Sequence, residues 1–370
     1  MPESPACPSS ASVATPVFVV GCDRSGTTLL TALIESRLGL AAPLETHFIP
    51  YFARTLFLWG DLGRRRNRER LLTAIGHFLE ILLVSSTPQL DPEEARSGTL
   101  LAVLPQAEAM LDACDDFGGM IRQFFAQYAL LHRKSGWVDN SSFYEPISLE
   151  VWQRHLPELQ VIHIVRDGRD VALSWLRSWW GPATLGEAMR LWSRHVLDKR
   201  EWGAAHPDSY LEVCYESLLG DPEGELERIA AFLGRRIEGA PTDLTASTTA
   251  RILSTGGTHD LLRGPIVATN RDKWRAIMST EEQAYCEFIA SATLESSGYP
   301  ILHAPISWFD RFTFGARLLV ALPKRYLSLV YYAKKIKWLV PVVLFLAGPF
   351  GGRITAMIRA RAIKKMEKKM

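Results

Sequence analysis

The stretch from Pro16 to Ile34 constrains the fold of this chain more than any other. Pro16-Val17-Phe18-Val19-Val20-Gly21 is a short apolar run rich in β-branched residues, Gly21-Cys22-Asp23-Arg24-Ser25-Gly26-Thr27-Thr28 is a polar loop bracketed by glycines, and Thr28 to Ile34 is mostly apolar again. Strand, loop and helix follow in that order. The glycines stand at the spacing of a phosphate-cradling loop, in which backbone N–H groups and the positive end of the helix dipole hold an anion without requiring any particular side chain.

Two further units repeat the pattern. Val161 to Val165 reads as a buried strand, followed by Arg166-Asp167-Gly168-Arg169-Asp170 and an apolar-periodic run from Val171 to Trp180. Tyr210 to Tyr215 is a third strand, after which Asp221-Pro222 supplies an N-cap and first-turn proline ahead of Leu226, Ile229, Ala230 and Leu233, with Gly234 closing the helix. Strands separated by helices predict an α/β fold with a parallel sheet covered on both faces. Thr184-x-x-Glu187 and Ser279-x-x-Glu282 predict two more helix starts of the capping-box type. Residues 52–135 read as a mostly helical insertion, periodic over Leu71–Leu83 and Met120–Leu131 with a loop around Ser85–Pro92, and form a candidate cap over the site. The division is then a leader over 1–15, a domain over 16–310 and a tail over 311–370. With 370 residues, 47% hydrophobic composition and 11 Trp, the chain has ample material for a core. Its five cysteines show no C-x-x-C pair, which argues against a zinc site or disulfide framework, and no His/Cys/Asp cluster has metal-ligand spacing, so no metal is expected.

Charge divides the chain more sharply than its net of +2 suggests. Residues 311–370 hold 14 Lys/Arg and one acid, whereas residues 1–310 hold 28 Lys/Arg against 39 Asp/Glu, a net of −11. An acidic body argues against a nucleic-acid-binding surface. The tail alternates apolar runs with Lys/Arg clusters; its longest uncharged stretch, Trp338 to Gly352, has 15 residues. As a helix this reaches about 22 Å at 1.5 Å per residue, short of the roughly 30 Å hydrocarbon core. Tyr326, Tyr331, Tyr332 and Trp338 interleave with lysines, a pattern suited to the headgroup boundary. The expectation is a basic amphipathic tail lying on an anionic membrane, with the protein peripheral on the cytoplasmic face.

In the first loop an NTPase would carry lysine where Thr27 stands, which disfavours a P-loop kinase. Arg24, a planar fork suited to a tetrahedral oxyanion, and the Thr27 and Thr28 hydroxyls take its place. In the second unit Arg166 leaves a strand end and Ser174 follows eight residues later, so both can face one anion at the top of the sheet. These two segments resemble the cofactor loops of sulfotransferases that use 3′-phosphoadenosine 5′-phosphosulfate (PAPS), with the strongest likeness to the bacterial-type family. The resemblance spans roughly residues 16–300. It implies a P-loop sulfotransferase-like parallel sheet flanked by helices, a 5′-phosphosulfate seat at Arg24, Ser25, Gly26, Thr27 and Thr28, and a 3′-phosphate seat at Arg166 and Ser174. By the same resemblance Tyr215 contacts the adenine, and Lys273 and Arg263 belong to a closing loop over Ser254–Trp274.

Glu45-Thr46-His47-Phe48-Ile49-Pro50 is similar to the base-bearing segment of tyrosylprotein sulfotransferases, and Glu45 lies 21 positions after Arg24. The resemblance implies Glu45 as general base, with His47 the alternative, carried away from Glu45 if a helix includes it. The family's Lys-Thr-Pro-like motif is replaced by Asp139-Asn140-Ser141-Ser142, with Asn140 in the lysine's place. An Asn amide donates hydrogen bonds without charge, which leaves leaving-group stabilisation to Arg24, the loop amides or another cation. The implied reaction is in-line transfer of a sulfuryl group from PAPS to an acceptor hydroxyl, on a carbohydrate, glycolipid or lipid, with 3′-phosphoadenosine 5′-phosphate (PAP) leaving. A nucleotide kinase and a membrane-tethered nucleotide-binding module without turnover stay open as alternatives.

Overall fold

The computed structural model describes residues 15–44, 46–86, 96–140, 148–178, 181–238, 244, 247, 266–303, 342 and 345. The leader, Glu45, Arg263 and nearly all of the tail lie outside them. Five parallel strands, β1 (Val17–Gly21), β2 (Leu40–Ala41), β3 (Gly136–Asn140), β4 (Gln160–Val165) and β5 (Tyr210–Cys214), form one sheet in the order β2-β3-β1-β4-β5. The predicted covered parallel sheet is therefore the observed one. The two-residue strand β2 has too little pattern to be read from sequence, and β5 stops at Cys214 because Tyr215 already begins a helix.

Period-two alternation sorts the strand residues between two helical layers. Val17, Val19, Val138, Ile162 and Ile164 face a core shared with α1 (Thr27–Arg37), α9 (Tyr215–Gly220) and α10 (Pro222–Phe232). Phe18, Val20, Trp137 and Val161 face the other way, into the core of the insertion. That layer holds α2 (Phe48–Ala53), α3 (Arg65–Ser86), α4 (Ala107–Asp112), α5 (Phe117–Leu131) and α6 (Glu150–Gln153). Aromatic rings join it to the sheet: Phe125 stacks on Trp137 with centroids 4.1 Å apart, and Phe18 meets Trp152 at 4.6 Å. Each such pair adds about 0.5–1.5 kcal/mol beyond the area it buries.

Beyond β4 stand α7 (Gly168–Leu176), α8 (Leu185–Ala205), α11 (Lys273–Ile277) and α12 (Thr280–Ser296). Ser279 and Glu282 form a complete capping box at the start of α12. At α8 Thr184 caps the Glu187 amide as expected, but the Glu187 carboxylate reaches the Ala183 N–H at 2.9 Å instead of the cap residue's own, so the box is not closed there. Asp221 caps α10 through the Gly224 amide, and Gly234 follows the helix at φ 62°, the left-handed turn that glycine makes without steric cost.

Arg169 ties this side of the molecule together. It is fully buried, chelates both Asp167 carboxylate oxygens at 3.0 and 2.8 Å, donates to Glu287 Oε1 and to the Pro300 carbonyl at 2.9 Å each, and lies 3.6 Å over the Trp274 ring. The second Glu287 oxygen accepts from the Leu302 and His303 amides. One guanidinium thus joins the turn after β4 to α11, α12 and the chain beyond. Arg169→Met would leave two buried carboxylates without their cation, and the expected loss is about 3–5 kcal/mol of unfolding free energy, read from denaturant midpoints. A loss below about 1 kcal/mol would show that the knot contributes no net stability.

Candidate active site

The strand order places the connection from β3 to β4 across β1, so the first loop lies at the point where the chain changes direction along the sheet. Crevices at the carboxyl ends of strands form at such points. Gly21 pairs with Ile164, so the loop after β1 and Arg166, two residues beyond Ile164, emerge side by side from adjacent strand ends.

The loop is built for close approach. A Cβ on Gly21 would lie 2.7 Å from the Ile164 carbonyl, and one on Gly26 would lie 2.5 Å from the Tyr215 ring. Gly26 has φ 99° and Arg24 has φ 72°, which turns successive backbone units inward. Helix α1 starts at Thr27 with no side-chain cap and no acid in its first turn. Its leading amides therefore open on the loop from a first turn that carries no acid, a setting for anion binding at a helix N-terminus. Thr27 and Thr28 are buried in that first turn, and Ser25 is buried with its Oγ making no hydrogen bond.

The structure brings together most of the residues singled out from sequence. Arg24 Nε donates to Ser174 Oγ at 3.0 Å, joining the first loop to α7. The Arg166 guanidinium lies 4.4 Å over the Tyr215 ring and donates to the carbonyls of Asn270 at 3.1 Å and Arg24 at 3.4 Å. Its Nε is buried with no partner. Asp170, placed one turn after Arg166, approaches it at 3.5 Å and accepts the Trp274 amide at 2.9 Å, which seats α11 against the site. Burial raises the Asp170 carboxyl above its ordinary range against the opposing pull of Arg166. Trp192 Nε1 bonds the Arg166 carbonyl at 3.0 Å and fixes α8 behind it.

Asn270 is the member of this cluster that sequence reading overlooked. Its side-chain amide donates to Tyr215 Oη at 2.7 Å while its carbonyl accepts from Arg166, so it locks ring and cation together. The available signal was its place in the loop just before Trp274. Lys273, chosen from the same loop, is exposed at the first position of α11 and makes none of these contacts. Lys199 was also overlooked. It is buried on the inner face of α8, and burial lowers its ammonium to about 8, with Asp198 and Cys22 opposing the shift.

Glu45 lies outside the described residues, but both of its neighbours are anchored. The Leu44 amide donates to the Gly98 carbonyl at 2.8 Å, and Thr46 Oγ1 bonds the fully buried Asp139 carboxylate at 3.2 Å. His47 is not carried off by a helix; it stands at φ 52° immediately before α2. Asn140 is buried at the end of β3, paired across the ladder with Val19. Among the described residues no group of side chains is arranged to hold a metal ion.

The Gly26–Tyr215 contact yields a test. Gly26→Ala is expected to destabilise the protein by more than about 1 kcal/mol, from the positive φ and from the ring clash together. Tyr215→Ala in the same chain should return only the clash part, so a double-mutant cycle by thermal denaturation separates the two. An unperturbed Gly26→Ala protein would show that the loop conformation is different from this one.

Residues 16–239 match the model of the sulfotransferase family. Sulfotransferase 2A2 of Rattus norvegicus is 27% identical over 139 residues, 28% of this chain and 47% of that protein, so the chain spans about half the length of the curated relative it matches. Among solved structures, the sulfotransferase domain of the Synechococcus PCC 7002 olefin synthase superposes with a TM-score of 0.53 at 22% identity over 78% of this chain and 96% of that one, a likeness of fold. A mouse sulfotransferase complexed with PAP is similar at a TM-score of only 0.38 and 15% identity, over 77% and 85% of the two chains, and adds nothing to that. The family match takes in the loop after β1, the Arg166–Ser174 segment and the junction of β5 with Tyr215, and the chain belongs to the sulfotransferase family.

Proposed function

We propose that the protein transfers a sulfuryl group from PAPS to an acceptor hydroxyl. The observation that carries this reading is the convergence of two anion seats on one crevice, joined by the Arg24–Ser174 hydrogen bond. Two buried polar atoms at those seats, Ser25 Oγ and Arg166 Nε, have no protein partner, and the uncapped start of α1 faces the same place. Unsatisfied buried donors are costly unless a ligand completes them, and a nucleotide with anions at both ends would do so.

In this reading the Thr27, Thr28 and loop amides hold the 5′ end, Arg166 and Ser174 hold the 3′-phosphate, and Tyr215 borders the adenine. PAPS supplies the activated sulfuryl group and leaves as PAP. Glu45 accepts the acceptor's proton as the hydroxyl oxygen forms its bond to sulfur and the bond from sulfur to the bridging oxygen breaks. Arg24 and the amides of the first loop meet the charge that develops on that oxygen, the task for which Asn140 brings no charge of its own. The basic tail favours an acceptor presented at a membrane surface, a lipid or glycolipid, reached from the cytoplasmic side where the enzyme is placed by the same reading.

Calorimetric titration tests the cofactor assignment. Arg166→Ala is expected to weaken PAP and PAPS by about 1.5–3 kcal/mol and to leave adenosine 5′-phosphosulfate, which has no 3′-phosphate, nearly unaffected. Equal losses for all three ligands would place Arg166 elsewhere than at the 3′-phosphate.

A second test addresses the base. Glu45→Gln is expected to retain PAP affinity while lowering turnover by roughly two orders of magnitude, the scale of losing a general base. Full turnover in that variant would move the proton transfer to another group, with His47 the next to replace.

A further inference from the structure

The 3-10 turn Leu56–Leu58, which links α2 to the approach of α3, presents an aromatic ring to solvent on a rigid support. Phe57 is 80% exposed, more than any other large apolar residue described. Its neighbours Leu56 and Leu58 turn partly into the core of the insertion. The turn is held from inside: Thr55 Oγ1 bonds the Phe52 carbonyl at 3.1 Å, the Leu58 amide bonds the Thr55 carbonyl at 3.0 Å, and the Trp59 amide bonds the Leu56 carbonyl at 3.0 Å. Lone exposed apolar side chains are ordinary on protein surfaces. The surroundings of this one are not.

Residues 54–70 carry six arginines against two acids, a net of +4 within a body whose net is −11. Five of them, from Arg64 to Arg70, divide into two groups. Arg65 is paired with Glu69 and Asp112, and Arg68 is buried on the carbonyls of Leu62, Gly63 and Leu111. Arg66 and Arg70 are exposed one turn apart on the outer face of α3, and Arg66 makes no ion pair among the described residues. Arg64, also exposed, reaches only Asp61, at 3.8 Å.

A second observation falls on the same surface. Phe345, from the basic tail, packs edge-on against Trp59 with centroids 5.3 Å apart and lies beneath the Arg70 guanidinium at 5.2 Å. Phe345 thus joins Trp59, two residues beyond Phe57, to Arg70 on α3.

We propose that the surface formed by Phe57, Arg64, Arg66 and Arg70 docks on an anionic lipid layer. Phe57 enters the headgroup boundary and the three arginines face lipid phosphates, an apolar tip within a cationic collar. Because this turn follows α2, and α2 follows the Glu45–His47 segment, the docked face belongs to the insertion read as a candidate cap over the site. The proposal shares with the functional reading only the membrane association of the tail and is independent of the transfer chemistry.

The test uses the full-length protein and sedimentation with vesicles, one set of phosphatidylcholine alone and one of equal parts phosphatidylcholine and phosphatidylserine. Binding is expected only to the second. Phe57→Asp and Arg66→Glu are each expected to lower the partition coefficient by about tenfold. Leu130→Asp, at an exposed apolar position on α5 remote in sequence from this surface, serves as the control and leaves it unchanged. Thermal denaturation and PAP titration of each variant report folding and the nucleotide site separately, so loss of PAP binding would count against the functional reading and not against this one. Partitioning of Phe57→Asp within about twofold of the parent would assign membrane binding to the tail alone and overturn the proposal. Equal binding to both vesicle types, or to neither, would overturn it as well.

Discussion

The side-by-side register of β1 and β4 is the constraint on which the site depends. It sets Gly21 beside Ile164 and so brings Arg24 and Arg166, both cationic, out of adjacent strand ends into one crevice. Two guanidinium groups held this close oppose each other unless their surroundings absorb the charge. The fold does this unequally. Arg166 receives a π face from Tyr215, two carbonyls and a distant carboxylate, whereas Arg24 turns its Nε to a neutral hydroxyl on α7.

The walls of the crevice are stiffened by groups that never face it. Arg169 binds Asp167, Glu287 and the Pro300 carbonyl behind the Arg166 turn, and Asp170 accepts the Trp274 amide. Tyr299 Oη and the Asp167 amide both bond Glu216, directly after Tyr215. These bonds cross between the β4 turn, the start of α9 and the C-terminal helices, so the positions of Arg166, Tyr215 and Asn270 are set by a shell drawn from three separate parts of the chain. Such a shell holds a site to the tolerance that in-line group transfer needs.

The opposite wall has a different character. That layer packs by aromatic contact, Phe125 on Trp137 of the sheet, Phe48 on Phe125, and Phe52 against Phe78 and Trp59. The Asp139–Thr46 hydrogen bond is the polar tether between that wall and the sheet.

Sequence by itself determined the parallel-sheet architecture and singled out the two loops that the sheet brings together, because each rests on local patterns. Apolar runs of strand length, glycines at loop spacing and caps such as Asp221 and Ser279 are properties of neighbouring residues and can be read without knowing what lies opposite. Tertiary structure decided which side chains meet there. Asn270 is 104 residues from Arg166, Ser174 is 150 from Arg24, and the ring that forces glycine at position 26 comes from Tyr215. No periodicity encodes such pairings, since they arise only when strand order and helix packing bring distant segments together. Lys273 and Asn270 show the difference: within one loop the charged residue drew attention, and the turn of the backbone into α11 exposed it while carrying the uncharged amide to the arginine.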